Sequence, residues 1–156
     1  MTTDEECCCH TAGVGAGRAI AILGGILLCV AVFLPWYAVG SLGPAGHLSG
    51  IDLSALAPEL GILPALGLAC VLGGALLGRT PRSVRESRVP AFSSAVVGAI
   101  GIIVTFEVGA RIGGSLQNWY GTAFWGAAGL GWYVAVLGGF LVLGAGLLRM
   151  LVPRDH

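Results

Sequence analysis

Residues 18–39 read RAIAILGGILLCVAVFLPWYAV, a run of 22 residues in which Arg18 carries the only charge. An uncharged apolar stretch of about 20 residues is what a helix needs to cross a hydrocarbon core about 30 Å thick. The run therefore predicts a membrane-spanning helix, and it indicates that the protein is an integral membrane protein.

The rest of the chain has the same character. Of its 156 residues, 56% are hydrophobic and 10% are charged, whereas soluble domains carry about 25% charged residues. Three more uncharged runs occupy residues 60–78, 89–106 and 112–148. They predict that the fold class is all-α, an integral membrane four-helix transmembrane bundle. The predicted spans are 18–39, 58–78, 91–112 and 132–151, within a single transmembrane domain at 18–152 that is flanked by a disordered cytoplasmic tail at 1–17 and a cytoplasmic tail at 153–156.

The arginines indicate how this bundle lies in the membrane. Only Arg111 lies on the side away from the termini. The positive-inside rule makes the arginine-rich side cytoplasmic, so we predict a multi-pass protein of the cell membrane with both termini in the cytoplasm. The arginines on that side are Arg18, Arg79, Arg82, Arg85, Arg88, Arg149 and Arg154.

Two segments connect the spans on the opposite side. Residues 40–57 are rich in Gly, Ser and Pro, which is typical of a loop. Residues 113–131 form an external segment that lies at the interface or re-enters the membrane, and the sequence leaves both arrangements open.

The aromatic residues cluster on that same side. Trp and Tyr are usually enriched at both membrane interfaces. We predict an outer-face aromatic belt, and its one-sidedness indicates that this face packs against its own loops or a partner. Its members are Trp36, Tyr37, Trp119, Tyr120, Trp125, Trp132 and Tyr133.

The N-terminal stretch DEECCCH, residues 4–10, has metal-ligand residue types in an unsuitable pattern. A structural zinc site needs four ligands, usually in pairs that can reach one ion. Only Cys7 and His10 have a usable gap, and no second pair lies nearby on the cytoplasmic side. We interpret the stretch as part of the tail. Its metal-binding alternative stays open, as does a second alternative built on His47 and Asp52 with Glu59 and Glu107, although Asp52 is also suited to a helix N-cap.

Glu107 is the one ionisable residue well inside a predicted span. Such residues are functional candidates by default. Arg111 follows four residues later on the same helical face, in the order that favours an ion pair. We predict that Glu107 and Arg111 form a structural ion pair, and a role in an ion pathway is the alternative.

Small residues recur at a spacing of four in the spans. This spacing lets membrane helices approach each other closely. We predict that these residues lie at helix–helix contacts; the pairs are Ala21 and Gly25, Gly74 and Gly78, and Ala135 and Gly139.

Two segments carry a family resemblance. They are FLPWYAVGSLGPAGHLSGIDLSALAPELGILPALGLACVLGGALL at 33–77 and GLGWYVAVLGGFLVLGAGLL at 129–148. The chain resembles a group of small four-span actinobacterial membrane proteins of unknown function, conserved and encoded near tryptophan-biosynthesis genes. The shared features are Trp36, the Ser49-Gly50 loop end and a Pro-containing second span. The resemblance implies a four-span fold and no functional residues.

These observations point away from catalysis. The chain has no nucleophile elbow, no HExxH motif and no phosphate-binding glycine loop. We expect a protein that is not an enzyme, needs no cofactor and binds no nucleic acid.

Its expected partners are the lipid bilayer and other membrane-protein subunits or copies of itself. It would be a structural or accessory subunit of a larger membrane assembly, of which a virion membrane protein is one form. The alternative is an oligomeric small-solute or ion transporter or channel that uses Glu107.

Overall fold

The computed structural model describes residues 4–38, 47–55, 57–76, 84–120 and 128–151, with side chains described within 16–37, 48–55, 57–75, 89–115 and 128–151. This part of the chain is mostly helical. Its elements in chain order are α1 (Asp4–Ala31), β1 (Pro35–Ala38), β2 (His47–Ser49), α2 (Gly50–Ser54), a 3₁₀ turn (Pro58–Gly61), α3 (Ile62–Leu76), α4 (Val84–Tyr120) and α5 (Leu130–Leu151).

Three helical segments are long and apolar enough to cross a membrane. They are Pro58–Ala75, Val89–Ser115 and Leu130–Leu151. The apolar part of α1, Ala16–Ala31, is shorter than these three. Length and composition thus agree with a membrane protein.

The helices pack in the order α3, α1, α5, α4. Helix α5 packs extensively on both α1 and α4, and α1 also packs on α3, whereas α3 and α4 touch only lightly. The core between them includes Leu28, Leu63, Val108 and Val142, all buried. Helix α3 therefore packs mainly against α1.

Glycines determine how closely these helices approach. A Cβ atom on Gly24 of α1 would lie 2.8 Å from the Gly138 carbonyl oxygen of α5. A Cβ on Gly25 would lie 2.7 Å from the Gly67 carbonyl oxygen of α3. Such distances leave no room for a side chain, so these glycines permit backbone-to-backbone packing.

The first helix ends earlier than the span predicted at 18–39. It ends at Ala31, and β1 pairs antiparallel with β2, with a register shift between Pro35 and Tyr37. Proline has no N–H, so Pro35 cannot donate to the Ala31 carbonyl four residues before it, and the helix cannot continue through it. The hydropathy of residues 18–39 does not reveal that the helix ends at Ala31.

Two other helix boundaries also differ from the prediction. Residues 4–17, predicted as a disordered tail, are instead the first turns of α1 from Asp4 onward. Extending an existing helix is easier than nucleating one, and Glu5 and Glu6 lie where the helix dipole favours negative charge. Helix α4 runs on to Tyr120, so the first part of the external segment predicted at 113–131 continues the third long helix.

Candidate functional site

One end of the bundle is closed by the strands and the short helices, and we call it the hairpin end. It comprises β1, β2, α2 and the 3₁₀ turn. Trp36 and Tyr37 of β1 are both fully buried here, at 0% exposure. The β1 strand therefore fills the space left where α1 stops short.

Trp36 supplies a second and shorter hydrogen bond to the Ala31 carbonyl oxygen, which also accepts from the Leu34 backbone N–H at 3.3 Å. Its indole Nε1–H donates to the Ala31 carbonyl oxygen at 2.7 Å. The last carbonyls of a helix have no intrahelical partner, and an unpaired buried one is costly. Trp36 thereby acts as a side-chain cap for the end of α1.

Glycines make room for the Trp36 side chain. A Cβ on Gly131 would lie 2.5 Å from Cδ1 of Trp36, and one on Gly50 would lie 2.9 Å from Nε1. The backbone N–H of Gly129 donates to the Trp36 carbonyl oxygen at 2.6 Å. Helices α2 and α5 thus close directly over the indole ring.

Tyr37 connects the hairpin to α4. Its hydroxyl donates to the Gly109 carbonyl oxygen at 3.3 Å.

The predicted outer-face aromatic belt is wrong for three of its members. Trp36, Tyr37 and Trp132 are buried inside the protein, whereas Tyr133 is half-exposed. Trp132 packs edge-on against Phe106, with ring centroids 5.3 Å apart, and against Tyr133 at 5.1 Å. These rings pack against the protein's own hairpin and helices. Trp125 and the side chains of Trp119 and Tyr120 lie outside the described residues.

A network of three charges joins two helical segments at the hairpin end. Arg111 Nη2 lies 2.9 Å from Glu107 Oε1, so the ion pair expected from the four-residue spacing is present. Arg111 Nη1 also lies 3.1 Å from Glu59 Oε1 in the 3₁₀ turn. We call Glu59, Glu107 and Arg111 the charge triad. It bridges the 3₁₀ turn that precedes α3 and helix α4, which touches α3 only lightly.

The triad lies in the half of the apolar α4 segment nearer the hairpin end. Glu107 follows Val89, the first residue of that segment, by eighteen residues and precedes Ser115, its last residue, by eight, distances of about 27 and 12 Å along a helix. The side chains of the triad are all at least one-third exposed. Long charged side chains can extend from such a position toward more polar surroundings.

Only Asp52, Glu59 and Glu107 among the metal-ligand candidates have side chains that the structure describes. Within the described ranges, no three His, Cys, Asp or Glu side chains are grouped closely enough to hold a metal. The side chains of Cys7, His10 and His47 lie outside the described residues.

Asp52 has a local role. It was expected to be a helix N-cap but occupies the third position of α2, with Ser49 as the N-cap residue of a capping box. The Ser49 hydroxyl donates to Asp52 Oδ2 at 2.6 Å, and the Ser49 backbone N–H donates to the same oxygen at 3.0 Å. These bonds, the hydroxyl bond first, lower the pKa of Asp52 below its ordinary value.

Polar side chains inside the long helices lie within hydrogen-bonding distance of backbone carbonyl oxygens. Thr105 is fully buried and donates to the Gly101 carbonyl oxygen at 2.7 Å within its own helix. Ser94 likewise donates to Ala91 at 3.0 Å, and the Cys29 thiol lies 3.4 Å from the Pro64 carbonyl oxygen of α3. Among the described residues these groups serve helix packing rather than a polar path.

The predicted packing residues lie at helix contacts wherever they are described. A Cβ on Gly74 would lie 2.6 Å from Ile22 Cγ1, and one on Gly139 would lie 2.7 Å from Ile102 Cγ1. Gly25 faces α3 as described above, and Ala21 and Ala135 are buried. Gly78 lies outside the described residues.

Comparison with protein-family models, with characterised proteins and with solved structures finds no match to this chain.

Proposed function

We propose that this protein is a non-catalytic four-span membrane protein, with both termini in the cytoplasm, that serves as a structural or accessory subunit of a larger membrane assembly. Its fourth span would be α1 together with the β1 strand that completes it. Non-helical backbone is tolerated at membrane depth where it is buried in protein, as β1 is.

The observation that supports this proposal most is a row of small residues on the outer surface of α3. Gly61, Ala65, Ala69 and Gly73 follow one another at intervals of four, and we call them the α3 stripe. The first three are exposed and Gly73 is half-buried. Nothing lies within 4 Å of a Cβ added at Gly61 or Gly73. A second membrane helix can approach closely along such a row.

Large apolar side chains are exposed on all four long helices, and on α3 they include Leu68 and Leu72 beside the stripe. Such side chains suit contact with lipid tails and keep a second backbone at a distance. Examples are Leu23 and Ile26 on α1, Phe92 and Ile103 on α4, and Leu137 and Phe140 on α5, all of them at least 45% exposed. The α3 stripe is therefore the surface best suited to a partner helix.

The proposal is tested by native purification of two matched variants in mild detergent. Gly73→Leu adds a large side chain to the stripe, and Gly144→Leu adds the same side chain to α5. Neither position has atoms within 4 Å of the added Cβ, so both variants should fold. We expect wild type and Gly144→Leu to retain the same stoichiometric set of other membrane proteins, and Gly73→Leu to lose it by about tenfold or more, a change of about 1.4 kcal/mol in association.

Two outcomes would contradict the proposal. The first is equal retention of partners in the Gly73→Leu and Gly144→Leu variants. The second is a wild-type particle composed only of copies of this chain, which would favour the oligomeric transporter or channel suggested by Glu107. Transport would then be tested by the loss of flux in Glu107→Gln at normal expression.

The transporter alternative has less support. Glu107 is paired with Arg111 and is the only acidic residue of its apolar segment, Val89–Ser115. A transport path needs polar groups in sequence across the hydrocarbon core. Thr105 and Ser94 instead donate to carbonyls of their own helix.

A further inference from the structure

Two arginines meet at the end of the bundle opposite the hairpin. We call it the arginine end and define it by Gly17, Arg18, Ala75 and Arg149. A Cβ on Gly17 would lie 3.4 Å from both Cγ and Nε of Arg149. The Arg149 side chain therefore crosses from α5 to α1 at the residue beside Arg18, and two positive charges lie next to each other.

The two guanidinium groups differ in their hydrogen bonds. Arg18 Nη2 donates to the Ala75 carbonyl oxygen in the last turn of α3, at 3.3 Å. Arg149 is half-buried, and among the residues whose side chains the structure describes its buried Nε has no hydrogen-bond partner. Both ion pairs within the described residues belong to Arg111, so neither arginine has a carboxylate there. Leaving a buried charged donor unpaired is expensive.

The surroundings of Arg149 combine charge with apolar surface. Leu148, Met150 and Leu151 next to it are all more than 40% exposed. Arg149 follows Leu130, the first residue of α5, by nineteen residues, a rise of about 28 Å. The guanidinium thus lies one hydrocarbon thickness from the hairpin end, at the level of lipid headgroups, with apolar side chains beside it that acyl chains can cover.

We propose that Arg18 and Arg149 bind a phosphate group, and that its source is the headgroup of an anionic phospholipid. The planar guanidinium of Arg149 presents Nε–H and Nη–H in a fork that matches two phosphate oxygens. The bound phosphate gives the buried Nε its acceptor and offsets the repulsion between the two arginines. Basic pockets between membrane helices bind anionic headgroups in this way.

The test measures the melting temperature of the purified full-length chain by tryptophan fluorescence in mixed micelles. Dioleoylphosphatidylglycerol, dioleoylphosphatidylcholine and sodium phosphate are added to separate samples. We expect phosphatidylglycerol alone to raise the melting temperature of the wild-type protein, by about 5 °C. The shift should disappear in the double variant Arg18→Met, Arg149→Met. It should persist in Arg154→Met, which removes one positive charge close to the same chain terminus.

Three outcomes would overturn the proposal. An equal shift in the double variant would show that these arginines are not the site. An equal shift with sodium phosphate or with phosphatidylcholine would show that an anionic lipid is not the ligand. Loss of the shift in Arg154→Met would show a general effect of charge.

A conservative variant covers the case in which the double variant does not fold. Arg149→Lys keeps the charge and the apolar stem but removes Nε–H and the planar fork. Native mass spectrometry should then count at least several-fold fewer phosphatidylglycerol molecules per chain than in wild type. Retention of the full wild-type number would exclude the fork geometry and overturn the proposal.

Discussion

Replacing Trp36 with alanine is expected to lower the free energy of unfolding by about 3–5 kcal/mol. Trp36 is the largest of the fully buried side chains, and it leaves a cavity between β1, α2 and α5 when it is truncated. The change also removes the donor that caps the Ala31 carbonyl at 2.7 Å. The measurement is equilibrium unfolding of the purified protein in mixed micelles with increasing denaturing detergent.

Two variants at the same end of the bundle separate these contributions. Trp36→Phe keeps most of the ring but loses the indole N–H, and the Ala31 carbonyl still accepts from the Leu34 N–H. We therefore expect a loss of about 1–2 kcal/mol from the missing hydrogen bond and the smaller volume. Tyr133→Ala removes a half-exposed aromatic side chain and should cost less than Trp36→Ala. If Trp36→Ala and Tyr133→Ala destabilise the protein equally, Trp36 does not hold this end of the bundle together.

Replacing Gly98 with alanine is expected to destabilise the contact between α4 and α5 by about 1–3 kcal/mol. The added Cβ would overlap the Leu143 backbone nitrogen and lie 2.8 Å from the Gly139 carbonyl oxygen. Both neighbours are backbone atoms in a helix, so neither can move without displacing the whole of α5. The same unfolding titration, with the melting temperature as a second readout, measures this effect.

Gly144→Ala is the matched control for Gly98→Ala. Gly144 lies in α5 with nothing within 4 Å of an added Cβ. Alanine has a higher helix propensity than glycine, so this change should leave stability unchanged or raise it. Similar effects of the two substitutions would contradict the close contact at Gly98.

The sequence predicts the positions of the long helices better than it predicts where they end. Uncharged runs locate α3, α4 and α5 because span length and charge exclusion are properties of a continuous segment. The early end of α1 was missed, although Pro35 carried the signal for it. The extension of α4 to Tyr120 was missed because its glycine-rich continuation resembles a loop in composition.

Contacts between distant residues were the least predictable part of the site. The pairing of Arg111 with Glu107 follows from a spacing of four within one helix. The pairing of Arg111 with Glu59 joins residues 52 positions apart and depends on how α3 and α4 are placed. Gly24 and Gly138 likewise face each other only once the helices are packed. Small residues at a spacing of four identified Gly25, Gly74 and Gly139, since that periodicity is local.

The apolar segments on opposite sides of the bundle differ in length. On the side of α3, Pro58–Ala75 extends about 27 Å. On the side of α4, Val89–Ser115 extends about 40 Å. If both segments cross one bilayer of uniform thickness, the lipids must thin beside α3 or the molecule must tilt, at a fraction of a kcal/mol for each ångström of mismatch. The proposed association through the α3 stripe would replace those strained lipids with protein, so hydrophobic mismatch and helix packing would favour a neighbour on the same side.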